Sequence, residues 1–148
     1  MNTFKTEKIK GKGWTGLVIK LEDEKNFDLL NLVEMKPHKY PFFLESSSRG
    51  NILNRHSIVF YEPKILLKKE NNKIKFLREF DKLWDQNKVA QERMRYKNYD
   101  VPFYGGWFVY LGYEIANEIE EKLVIPKSPF LLPDAFAARV NTSIIYDH

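Results

Sequence analysis

The sequence contains no cysteine. That excludes a disulfide framework, a thiolate metal site and a cysteine nucleophile, and it fits a reducing compartment. The expectation is a cytoplasmic protein. Histidine is scarce as well: His38, His56 and His148 are the only three. No HExxH, no histidine pair at metal spacing and no carboxylate cluster at oxygen-ligand spacing appears, so each histidine reads as structural or surface. No run approaches the apolar length of a membrane-spanning helix. Met1 to Lys12 is charged and has no apolar signal core. The excess of one charge sign is small, 24 basic residues against 20 acidic. The densest lysine patches, Lys5 to Lys12 and Lys64 to Lys75, have no aromatic base readers beside them, so they read as solvated surface and not as a nucleic-acid face. The glycines form no P-loop and no dinucleotide fingerprint, and Ser47 sits in no G-x-S-x-G elbow. Taken alone, the chain has no catalytic constellation.

What is present suits one soluble globular domain spanning residues 1–148. The chain has 148 residues, 43% hydrophobic and 30% charged, enough for a core of its own. Aromatics reach 15%, which suggests large rings filling a β-rich interior.

The pattern along the chain predicts an α+β fold of mostly antiparallel sheets with flanking helices. Phe4 to Ile9 and Trp14 to Leu21 read as strands around a Gly11-Lys12-Gly13 turn. Glu22 to Glu24 suit a helix N-terminus, and Phe27, Leu30 and Val33 carry that helix to Pro37. Tyr40 to Leu44 and Ile58 to Tyr61 read as strands. Ile65 to Lys69 and Lys73 to Leu77 read as a hairpin around Asn71-Asn72, followed by a long amphipathic helix over 77–95. Lys97 to Asp100 reads as a linker. Ala135 to Tyr146 has strand character, strongest from Ser143. Glu118, Glu120 and Glu121 read as the solvated face of a short helix.

The centre of the chain is Pro102-Phe103-Tyr104-Gly105-Gly106-Trp107-Phe108-Val109-Tyr110-Leu111-Gly112-Tyr113-Glu114. Gly105-Gly106 offers a turn with unusual φ. Trp107 to Leu111 reads as a buried strand, apolar on both faces. Gly112 marks a bulge or the close approach of another backbone. Tyr113-Glu114 opens a short helix through Ile119.

The best binding candidate is the polar loop after Leu44. Glu45 supplies a carboxylate, Ser46 to Ser48 supply hydroxyls, and Arg55 supplies a guanidinium. Such a set can hold a zwitterion, with the carboxylate on the ligand ammonium and the arginine on the ligand carboxylate. The plainer alternative is a surface loop with one internal Glu–Arg ion pair.

Several segments in order resemble one family. Phe43-Leu44-Glu45-Ser46 is similar to an L-L-E-S motif. Asn54-Arg55-His56-Ser57-Ile58-Val59 with Glu62-Pro63 is similar to an S-R-F-D-I-V…D-P segment. The glycine-aromatic stretch, with Glu118-Ile119-Glu120 after it, follows. Pro133-Asp134-Ala135 and Ile145-Tyr146-Asp147-His148 resemble a proline-aspartate step and a strand ending in Asp-His. Together they resemble the N-terminal region of the chorismate-utilising enzymes, component I of aminodeoxychorismate synthase and of anthranilate synthase, across roughly residues 40–148. Val109 stands where the family usually has glycine, and the wording is closer to the aminodeoxychorismate branch.

The resemblance implies part of a β-sandwich completed by a C-terminal region that this chain lacks. That region carries the chorismate site and the magnesium-binding glutamates, so this chain alone is expected not to be an enzyme. The parent would draw ammonia from a glutamine amidotransferase subunit. The resemblance also implies a tryptophan pocket, carried over to Glu45, Ser46 and Arg55, with Asn54 and His56 flanking; part of it comes from the C-terminal region, so weak or no tryptophan affinity is expected of the isolated chain. Neither nucleic acid nor membrane is an expected partner. The alternatives are the anthranilate branch with its feedback site, and a stand-alone amino-acid-binding module. An open half-sandwich is expected to self-associate.

Overall fold

A computed structural model describes residues 5–11, 13–21, 27–46, 55–70, 74–88, 101–126 and 128–148. The fold is α+β, with antiparallel sheets and few helices. Among the described residues no helix is long and apolar enough to cross a membrane. The chain divides into two compact units. One comprises Met1–Glu62, Val89–Tyr104 and Thr142–His148, and the other Pro63–Lys88 and Gly105–Asn141.

The first unit holds a hairpin of β1 (Lys5–Gly11) and β2 (Trp14–Lys20), the helix α1 (Leu29–Met35), and a three-stranded sheet. Gly13 takes φ 85 at the hairpin turn, while Lys12 lies outside the described residues, as do Phe4 and Glu22 to Glu24. Asp28 caps α1 by accepting the Leu30 N–H at 2.8 Å, the role a short acidic side chain plays at a helix start. The sheet runs β3 (Phe42–Leu44), β4 (His56–Phe60), β8 (Ser143–Asp147), all antiparallel. Its centre is β4, where Val59 is fully buried and Phe60 nearly so. Phe60 meets Phe103 edge-on at 5.2 Å. At the far end of β4, Glu62 takes φ 44 and its N–H donates to the Lys39 carbonyl at 2.7 Å; that bond holds a backbone conformation unusual for a residue with a Cβ.

The second unit holds the sheet β5 (Lys64–Lys69), β7 (Ala135–Val140), β6 (Gly106–Leu111). It also holds α2 (Phe76–Asn87) and a 3-10 turn at Tyr113–Ile115 that leads into α3 (Ala116–Ile119). Alanine dominates the central strand. Ala135 and Ala137 present one face with no bulk, and Phe76 of α2 fills the space together with Ile115. Leu67, Leu77, Phe80 and Trp107 pack around this cluster. On the opposite face Phe136 stacks on Phe108 and Tyr110, with ring centroids 6.1 and 5.4 Å apart.

Three expectations are corrected. Within the predicted strand Lys73 to Leu77, Lys73 lies outside the described residues and the rest is not a strand: Ile74 lies in a bend, and Phe76 and Leu77 are the first residues of α2. The apolar Ile74-Lys75-Phe76-Leu77 pattern fits either period over so short a span, and burial of Phe76 under the helix decides it. Asn71 and Asn72, and the part of the predicted helix beyond Lys88, lie outside the described residues. The strand at Trp107 to Leu111 forms, but at a sheet edge, with Val109 and Leu111 exposed. Glu118 is not solvated; its side chain is 4% exposed.

The two glycine expectations hold. Gly105 takes φ 112. Gly112 donates its N–H to the Asp134 carbonyl at 2.8 Å, and a Cβ there would stand 2.8 Å from that same oxygen.

Candidate functional site

Antiparallel pairing gathers the predicted residues at one end of the β3-β4-β8 sheet. The exit of β3, the entry of β4 and the exit of β8 coincide there, with Leu44 opposite Ile58 and His56 opposite Asp147. Sequence-distant polar groups thus become neighbours because three strands end in register.

Ser57 is the hub. It is 2% exposed. Its Oγ accepts the Ser46 N–H at 3.0 Å and lies 2.7 Å from His148 Nε2. A buried hydroxyl is costly without partners, and here it joins β3, β4 and β8. The His148 N–H donates to the Arg55 carbonyl at 2.9 Å, extending the ladder one residue past the strands. Tyr146 meets the His148 ring edge-on at 5.0 Å.

Arg55 forms a two-pronged ion pair with Asp147, its Nε donating to Oδ1 and its Nη2 to Oδ2. Both side chains are about half exposed, 46% and 44%. His56 Nε2 stands 3.9 Å from Asp147 Oδ1. The Arg55 hydrogen bonds hold the Asp147 carboxyl below its ordinary value. Partial burial works against them, and the charges of Arg55, His56 and His148 add to the lowering.

Of the predicted site residues, Ser46, Arg55 and His56 come together here. Glu45 lies beside them in sequence, exposed, and has no ion pair with another described residue. Asn54 lies outside the described residues. Arg55 pairs with Asp147. Ser57, Asp147 and His148 were not assigned to a site by the sequence. The signal that points to them is the pairing of two β-branched runs, Ile58-Val59 against Ile144-Ile145, which puts their flanking polar residues side by side.

The second unit has its own polar centre. The Lys69 and Glu118 side chains, 3% and 4% exposed, form an ion pair. Lys69 Nζ also donates to the Ile74 carbonyl at 3.1 Å. The Glu118 carboxylate also accepts the Phe76 and Leu77 N–H groups, at 2.8 and 3.0 Å. Burial pushes the Glu118 carboxyl up. The Lys69 hydrogen bond, the two backbone N–H donors and the Lys69 charge together outweigh it, and the net direction is down. A pocket of about 310 Å³ opens here, lined by Lys69, Lys75, Asn117, Glu118 and Glu121, with Ile74 and Leu123. Its charged groups pair with one another, Lys69 with Glu118 and Lys75 with Glu121 at 3.7 Å. This centre therefore reads as architecture. Among the described residues no group of three or more His, Cys, Asp or Glu side chains could hold a metal ion.

No family model matches the chain, and no curated protein matches it.

Proposed function

We propose that this chain is the N-terminal, non-catalytic region of an aminodeoxychorismate synthase component I. Its parent would convert chorismate and ammonia to 4-amino-4-deoxychorismate, with magnesium held by the catalytic region and ammonia drawn from a glutamine amidotransferase subunit. Within this chain the end of the β3-β4-β8 sheet would bind an amino-acid zwitterion, tryptophan first among candidates.

One observation carries the reading. Three of the segments behind the resemblance, Phe43 to Ser46, Asn54 to Val59 and Ile145 to His148, meet in one sheet, the last lying far along the chain from the first two. Their described residues lie on three adjacent strand ends and share the Ser46–Ser57–His148 and Arg55–Asp147 contacts. That these segments meet at one place supports the reading. The set also offers what a zwitterion needs, namely a guanidinium, hydroxyls, a histidine, and the Glu45 carboxylate nearby.

The test is turnover by the whole native gene product with chorismate, ammonia and magnesium. Formation of 4-amino-4-deoxychorismate is the expected result. Anthranilate as product would move the protein to the other branch. A gene product no longer than 148 residues, without turnover, would overturn the synthase reading. It would favour a stand-alone amino-acid-binding module, a reading supported by a recognition set built from this chain's own residues.

A further inference from the structure

We infer that Asp147 is an internal competitor for the carboxylate site at Arg55, so that the amino-acid site at the end of the β3-β4-β8 sheet is held closed by its own chain. The inference rests on the proposed amino-acid site and adds how that site is regulated.

Arg55 is the guanidinium that a ligand carboxylate would use. Its Nε and Nη2 form the side-on fork that matches a carboxylate in two parallel hydrogen bonds. In the structure both prongs are taken by Asp147. Asp147 thus stands where the ligand's carboxylate would stand, with the same charge and the same geometry. The position is set by register: His56 lies opposite Asp147, so Arg55 meets Asp147 diagonally across the strand pair. His56 Nε2, 3.9 Å from the same carboxylate, faces it from β4, and the His148 N–H on the Arg55 carbonyl pins the two strand ends together.

The latch is light. Both side chains are about half exposed, and ion pairs of that kind contribute a factor of one to about five to an equilibrium. A ligand carboxylate can therefore displace Asp147, at a cost in affinity of that order. Asp147 also repels the incoming carboxylate as a like charge.

The experiment is calorimetric titration of the whole native gene product with L-tryptophan, and with L-tryptophanamide, which lacks the carboxylate. The wild type, Arg55→Ala, Asp147→Asn and Asp147→Asn/Arg55→Ala are compared, with Asp147→Ser as a second opening variant and thermal melting as the check that each is folded. The expected result is that both opening variants bind L-tryptophan at least threefold tighter than the wild type. Adding Arg55→Ala should erase the gain, and tryptophanamide should show none. If Arg55→Ala weakens the wild type while the opening variants bind no tighter, Asp147 does not compete, and the inference falls while the amino-acid site stands. If no variant binds tryptophan, both fall together.

Discussion

Glu118 satisfies two demands at once: it neutralises Lys69 and it caps α2. Lys75, the residue at the N-cap position, makes no capping hydrogen bond with its own side chain. The carboxylate that receives the first N–H groups of the helix comes instead from α3. The buried lysine beneath it is tolerated only because that carboxylate is there.

Glu118→Gln should therefore be among the most damaging single substitutions in the second unit. It leaves the Lys69 ammonium buried without a counter-charge, which costs about 3 kcal/mol or more. Lys69→Met should cost less, because Glu118 keeps two backbone donors. The double variant Lys69→Met/Glu118→Gln should be more stable than the sum of the singles implies, since no unpaired charge remains. Urea denaturation of the four proteins measures the coupling; strict additivity would refute the shared-charge account.

Acid should destabilise the chain through two named carboxylates. Both Glu118 and Asp147 have folded-state pKa values below their ordinary ones. Such groups bind more protons unfolded than folded as pH falls below the ordinary carboxylate range of about 4. Their contribution is fully present above that range and is lost as pH drops through the depressed folded values. Urea midpoints measured from pH 6 down to pH 2 should fall across that window. The fall should be shallower in Asp147→Asn, and an identical acid limb in wild type and variant would count against the assignment.

Much of this was legible in the sequence, and the losses have physical causes. The hairpin at Gly13, the Gly105 turn and the strand from Ser143 follow from backbone chemistry that acts locally. Lys69 and Glu118 could not be read that way. A lysine at the end of Lys64–Lys69 and a glutamate among three look solvated, and only β5 pairing with β7, with α2 across the face, buries them. Ile74 to Leu77 was ambiguous because four residues complete neither period. At the β3-β4-β8 end, Ser46, Arg55 and His56 were singled out from side-chain type and family wording. Asp147 was missed as the partner of Arg55 because the bond spans 92 positions, and only strand register places them together.

Gly112 should not accept a side chain. An added Cβ would meet the Asp134 carbonyl oxygen at 2.8 Å, a backbone atom fixed by its own hydrogen bond to Gly112. Gly112→Ala is expected to lower stability by about 1–3 kcal/mol, read as a drop in melting temperature. An unchanged melting temperature would mean the β6–β7 junction yields more easily than its geometry implies.

Self-association should run through β6. The strand carries no charge from Gly106 to Leu111, lies at a sheet edge and exposes Val109 and Leu111. The opposite edge, β5, bears Lys64 and Lys68, and such charges deter strand addition. Light scattering should show the average mass rising with concentration, and Val109→Lys should suppress the rise. A wild-type chain that stays monomeric over a wide concentration range would remove this prediction.

The remote cap on α2 also sets an order of events during synthesis. The N–H groups of Phe76 and Leu77 wait for a carboxylate 42 and 41 positions further along. A nascent chain that has emerged only as far as Asn87 has the sequence of α2 but nothing to finish its first turn, and isolated helices of this length are marginal in water. The helix thus matures behind a later part of the chain. A pause in translation between Asn87 and Glu118 would lengthen the life of an intermediate whose Lys69 is still in water.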